Sequence, residues 1–207
     1  DGWERMSVSE LQDLSETKNA STWRRLETVT LTRAFFMICI VALHTQAFVY
    51  SSNWGAAYFL VLLAGYSVAR FQLPEIIRSG SVRTLLGTIR YVAVPAILMD
   101  VFLELFITRK FELPSLLLVS NYVPPHDIKG YTFYFIEFYL QLLIFAALLF
   151  SFRRVREAFR ERPLLSAFIL FLIMVAIDRT IEHFWDGNWN YHRSPWNYGW
   201  CFALGMV

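Results

Sequence analysis

The sequence predicts an all-α fold, a polytopic bundle of transmembrane helices with five complete spans and the start of a sixth, and three observations predict it. Fifty-six per cent of the 207 residues are hydrophobic and 17% aromatic, and the mean hydropathy is +0.41, outside the range of ordinary soluble domains. Apolar runs of about twenty residues, the length that crosses a bilayer, recur along the chain. Most of the nineteen basic residues gather between those runs, as they do in membrane loops. The net charge of +2 says little, and no basic patch belongs to a soluble domain, so nucleic acid is not suggested. Cys39 and Cys201 both fall in predicted spans, where a thiol behaves as a small apolar side chain, and no disulfide or zinc framework follows.

Residues 1–27 are polar and form a separate cytoplasmic segment. Ser7-Val-Ser-Glu10 has capping-box spacing, and Val8, Leu11 and Leu14 make a short apolar stripe, which predicts one helix. It reads either as a tail or as the last helix of an upstream soluble, carrier-type domain. Asn19-Ala-Ser21 matches a glycosylation sequon on the wrong side of the membrane for use. The remaining chain, 28–207, is the membrane part, with spans at 31–50, 55–72, 91–108, 131–151 and 164–184 and a sixth beginning near 197. Pro95 should bend or open the start of the third span, and the polar stretch from Gln72 to Arg90 suits a short helix along the inner surface. The chain opens on Asp1 and stops in the apolar run ending Gly205-Met-Val207, so it reads as a fragment.

Orientation follows from the loops. Lys18, Arg24 and Arg25 precede the first span, Arg70, Arg78, Arg83 and Arg90 mark the second connection, and Arg153, Arg154, Arg156, Arg160 and Arg162 crowd the fourth. The positive-inside rule then makes the N-terminus cytoplasmic.

Within the first span, Arg33 and His44 are eleven residues apart, three helical turns, so they leave one face roughly 16 Å apart. Each polar group costs about 2.5–3.5 kcal/mol in hydrocarbon, which points to a shared site. His44, in the outer half, suits general-base work if a partner fixes its tautomer; the competing reading is a helix-packing histidine. Glu137 enters the fourth span at a similar depth and either orients that ring or pairs with an arginine. Arg33, Arg83 and Arg90 collect at the inner surface, where guanidinium forks suit phosphate oxygens, with topology and lipid headgroup contact as the alternative. Asp100 and Glu104, one turn apart, share a face and pair with buried basic groups or line a proton path. The segment 184–200 is rich in Trp, Asn and Tyr, so Trp185, Trp189 and Trp196 are acceptor-stacking candidates or an interfacial belt. Asp178, Glu182, His183 and His192 lack tight ligand spacing, and no metal is expected.

Four segments in register carry a resemblance: Arg33 and His44; Tyr58-Phe-Leu-Val-Leu-Leu-Ala-Gly65-Tyr66; Arg90-Tyr-Val-Ala-Val-Pro95; and Tyr131-Thr-Phe-Tyr-Phe-Ile-Glu137-Phe-Tyr-Leu-Gln141. Together they resemble the first four spans of the membrane-bound acyltransferase 3 family. That resemblance implies the N-terminal half of a domain of roughly ten spans. It implies transfer of an acetyl or other short acyl group from cytoplasmic acyl-CoA, a co-substrate and not a bound cofactor, to a hydroxyl of a sugar or other small acceptor. His44 would be the catalytic residue, Glu137 a site carboxylate, and Arg33 and Arg90 donor-side residues. Ala64 stands where the family has a small polar residue, Phe133 where a tryptophan is common, and only Arg83 and Arg90 represent the family's close-set arginines. A proton-coupled transporter using the intramembrane histidine and acids, and a non-catalytic scaffold for an upstream enzyme, are the competing readings.

Overall fold

The computed structural model describes residues 30–39, 55–109, 113–123, 134–184 and 194–207, and among these the fold is all-helical. The chain divides into two compact units, 1–56 and 57–207. In the first unit, helix α1 (Thr30–Cys39) is short and apolar. The predicted helix of the N-terminal segment, the sequon and residues 40–50 lie outside the described residues.

The second unit is a helical bundle. Helix α2 (Gly55–Ser67) passes through a π-helical turn, Val68–Gln72, straight into α3 (Leu73–Ser79). Pro74 explains the turn: it lacks an N–H and its ring crowds the preceding turn's carbonyl, and widening the ladder relieves both. The result is one run, Ala56–Ser79, instead of a span ending at 72 followed by a separate surface helix. The run ends at Gly80, whose φ of 70° is the left-handed cap that glycine adopts without strain, its N–H donating to Ile76 O at 2.9 Å. Helix α4 (Arg83–Leu103) starts eight residues earlier than the predicted third span and continues past Pro95, which is therefore interior to the helix and not at its start. It leads into a second π turn, Glu104–Thr108, closed by Arg109 at φ 53°.

After α5 (Leu113–Leu116) and the 3-10 turn Ser120–Tyr122, helix α6 (Tyr134–Ser151) carries the most apolar sequence of the bundle. At Phe152, which is extended, the chain turns by 88° into the amphipathic α7 (Arg153–Glu161). Arg156 staples that corner, donating from Nη1 to Phe150 O at 2.8 Å and Ser151 O at 2.7 Å. Helix α8 (Pro163–Phe184) and α9 (Pro195–Gly205) complete the unit close to the predicted positions.

Helix α8 is inside-out relative to a soluble helix. Ala167, Leu170, Met174 and Asp178 face the bundle, while Leu165, Phe168, Ile169, Leu172 and Ile173 form an exposed apolar stripe. Two helices, Ala56–Ser79 and Pro163–Phe184, are long and apolar enough to cross a membrane, and a third if the bent pair α6 and α7 counts as one span. The core joins α2, α6, α8 and α9 through Val61, Phe138, Leu143, Phe150, Met174 and Phe202. Helices α2 and α9 approach through glycines: a Cβ on Gly65 would lie 1.9 Å from Phe202 O, and one on Gly205 would lie 2.0 Å from Leu62 O. Such small-residue contacts bring helix backbones together where lipid supplies no hydrophobic drive.

Candidate functional site

The buried polar groups of the second unit collect at one end of the bundle. Helix α4 ends there with Asp100, 2% exposed, the π turn that follows it opens with Glu104, 6% exposed, α6 starts there with Glu137, 1% exposed, and α9 starts there with Asn197. Alternating helix direction explains the convergence, since Asp100 and Glu104 sit at the end of α4 and in the π turn after it, and Glu137 in the first turn of α6.

Glu137 is held from both sides of its carboxylate. Ser120 Oγ donates to Oε1 at 2.5 Å, and the Asn121 backbone N–H donates to Oε2 at 2.8 Å. One turn along the same helix face, Gln141 grips the same loop. Its Nε2 donates to Leu118 O and Asn121 Oδ1, both at 3.0 Å, and its Oε1 accepts from Asn121 Nδ2 at 3.0 Å and from the Tyr122 hydroxyl at 3.2 Å. The loop turns at Leu118, φ 55°, and while several of its N–H groups bond within the loop, the Asn121 N–H and the Leu118 carbonyl are satisfied by Glu137 and Gln141. Desolvation raises the Tyr122 hydroxyl above its ordinary 10.0.

Asp100 feels the charges of both Glu137 and Glu104, and its Oδ2 has no hydrogen-bond partner among the described residues. Three buried carboxyl groups thus share one region, and a cluster of that kind is expensive unless it holds protons or cations. Among the described residues no group of three His, Cys, Asp or Glu side chains has metal-holding geometry.

On the neighbouring side, Tyr58 and Asn197 exchange hydrogen bonds at 3.0–3.2 Å. Tyr198 stacks on Phe138 with ring centroids 4.1 Å apart and also meets Tyr58 at 4.7 Å. Asp178, 1% exposed, contacts Arg179 Nη2 at 3.4 Å. An aromatic and amide wall therefore stands directly beside the residue following Glu137.

The predicted site residues are distributed as follows. Arg33 is exposed on α1 in the first unit, and His44 lies outside the described residues. Arg83 and Arg90 are both exposed on α4, which brings them together: seven residues is two turns, so they share a face about 10 Å apart. Beside Arg90 an open depression is lined by Gly87, Tyr91, Val94 and Pro95. Trp196 is half-buried at the start of α9 next to Asn197, while Trp185 and Trp189 lie outside the described residues. Sequence reasoning missed Ser120 and Asn121 and gave no individual role to Tyr58, Gln141 or Asn197, which it met only within longer segments. The available signal was Glu137 and Gln141 at i, i+4 on an otherwise apolar helix, which needs a polar partner on that face.

No family model matches the chain, no curated protein matches it, and no solved structure does.

Proposed function

We propose that the chain forms part of an integral membrane acyltransferase, of the membrane-bound acyltransferase 3 type, with its N-terminus cytoplasmic. It would move an acetyl or other short acyl group from cytoplasmic acyl-CoA to a hydroxyl of a sugar or other small acceptor. The observation that carries this reading is Glu137, a carboxylate 1% exposed at the head of an apolar helix, fixed by Ser120 and Asn121. A carboxylate in such a place costs too much to be a packing group, and one held in a fixed orientation suits positioning of a histidine. Arg83 and Arg90 on one face, with an apolar depression beside Arg90, suit a phosphorylated donor, and Arg33 joins them through its sequence spacing to His44. Trp185, Trp189 and Trp196 would stack on the acceptor.

In this mechanism His44, oriented by Glu137, takes the proton of the acceptor hydroxyl as its oxygen attacks the acyl carbon. The tetrahedral intermediate then collapses, the C–S bond breaks, and the CoA sulfur leaves with the proton that His44 returns. No bound cofactor is required. The buried Asp100, Glu104 and Glu137 group favours a second reading, a proton-coupled transporter. Membranes containing the protein, given labelled acyl-CoA, separate the two. Acyl-CoA-dependent release of free CoA thiol with label moving to a hydroxyl acceptor supports transfer; proton-coupled uptake with no dependence on acyl-CoA overturns it.

A further inference from the structure

The bend after α6 leaves α7 lying across the end of the bundle. Its inner stripe, Val155, Arg156 and Phe159, faces the protein: Phe159 is 5% exposed and packs edge-on against Phe150 at 5.1 Å. Its outer side is cationic. Arg153 is paired with Glu157 at 2.6 Å and Arg156 is spent on the corner carbonyls. Arg154, Arg160 and Arg162 are exposed and enter no ion pair among the described residues. The segment 153–162 holds five arginines against Glu157 and Glu161, a local excess of three positive charges. Phe152 at 64% and Leu164 at 66% exposed flank the helix at its two ends. A helix at 88° to its neighbour with apolar side chains at both ends fits only one level of a bilayer. With Phe152 and Leu164 in hydrocarbon, the free guanidinium groups lie among the headgroup phosphates, where planar forks bind phosphate oxygens bidentately.

We infer that α7 is an anionic-lipid site, in which Arg154, Arg160 and Arg162 hold the phosphate groups of acidic phospholipids and fix the bent α6–α7 corner at the membrane surface. The site goes beyond acyl transfer and needs no substrate; it rests only on the reading of the apolar helices as spans. Three separate cations explain selectivity for net-negative headgroups, because a zwitterionic phosphate brings its own ammonium to compete.

The full chain is reconstituted in phosphatidylcholine bilayers with spin-labelled phosphatidylglycerol or phosphatidylcholine, and the relative association of the two lipids is read by electron spin resonance. A preference for phosphatidylglycerol is expected. It should fall by up to about fivefold at the occupied site for each charge removed among Arg154→Gln, Arg160→Gln and Arg162→Gln, and weaken with added salt. A Glu157→Gln, Glu161→Gln variant, which removes no packing group, should strengthen it. Equal association of both lipids in the wild type, or an undiminished preference in the triple variant, overturns the site. Loss of the preference on adding inorganic phosphate, but not chloride at equal ionic strength, assigns the arginines to a free phosphate and overturns the lipid assignment. Failure of the chain to insert is seen separately as absence of any motionally restricted lipid, and sinks the span reading together with this one.

Discussion

Substituting alanine at Gly65 should be among the most damaging single-methyl additions in the second unit. The new Cβ would lie 1.9 Å from Phe202 O and 2.8 Å from Phe202 C, both backbone atoms that no rotamer change can move. Reaching the 3.4 Å of ordinary contact parts α2 from α9 by about 1.5 Å, and a gap of 0.5–1 Å already forfeits a quarter to a half of the dispersion between facing atoms. Overpacking typically costs about 1–3 kcal/mol, and backbone opposite backbone places Gly65→Ala at roughly 3 kcal/mol or above. Gly205→Ala forces the same separation from the other side, against Leu62 O at 2.0 Å. The double variant should therefore cost less than the sum of the two, since helices already parted accept the second methyl freely. Gly87 supplies the contrast: a Cβ there meets nothing within 4 Å, so Gly87→Ala should stabilise by about 0.5–1 kcal/mol through helix propensity. Reversible unfolding in detergent micelles measures the wild type and all four variants. A Gly65→Ala protein within about 0.5 kcal/mol of wild type would refute the close approach of α2 and α9.

Removing the acceptor at Glu137 by alanine leaves the Ser120 hydroxyl and the Asn121 N–H without their partner, a cost of about 1–3 kcal/mol for each buried group; amide exchange at Asn121 should accelerate, and unchanged protection would contradict the clamp. Tyr58→Phe and Asn197→Leu each break one shared hydrogen-bonded pair and should cost about 0.5–1.5 kcal/mol, with a double-mutant cycle returning a coupling of similar size; strict additivity would show the pair to be absent. Tyr122 keeps 41% exposure, and partial desolvation raises its hydroxyl above 10.0, so the folded chain binds its proton more tightly than the unfolded one. Its contribution is complete below pH 10.0 and is lost as pH rises through the higher folded value. The alkaline fall in stability should be shallower in Tyr122→Phe, and equal slopes in the two proteins would count against that desolvation.

Helices α8 and α9 were legible to within about two residues at their starts, because Pro163 and Pro195 sit in their first turns and the run from Leu164 to Ile177 is apolar but for Ser166. The run from α2 into α3 was not, since Gln72, Pro74 and Glu75 read as a stop, and only the π turn shows how a helix passes a proline by widening its ladder. The early start of α4 was hidden for a similar reason: Arg83, Thr84, Thr88 and Arg90 are polar, yet they are helical, and Thr88 accepts from Gln72 Nε2 at 3.0 Å. At the site, Glu137 was legible as a costly intramembrane charge. Its partners were not, because Ser120 and Asn121 are ordinary loop residues whose role arises only from tertiary contact. Periodicity reports which face is buried and says nothing about which loop returns to it.

Acyl transfer to a hydroxyl acceptor with His44 as the base is the central claim, and turnover by the His44→Ala protein in membranes tests it most directly. With insertion verified by lipid association, the variant should lose at least about a hundredfold in acyl-CoA-dependent CoA thiol release, the smaller end of what a general base contributes. Turnover near that of the wild type would contradict it.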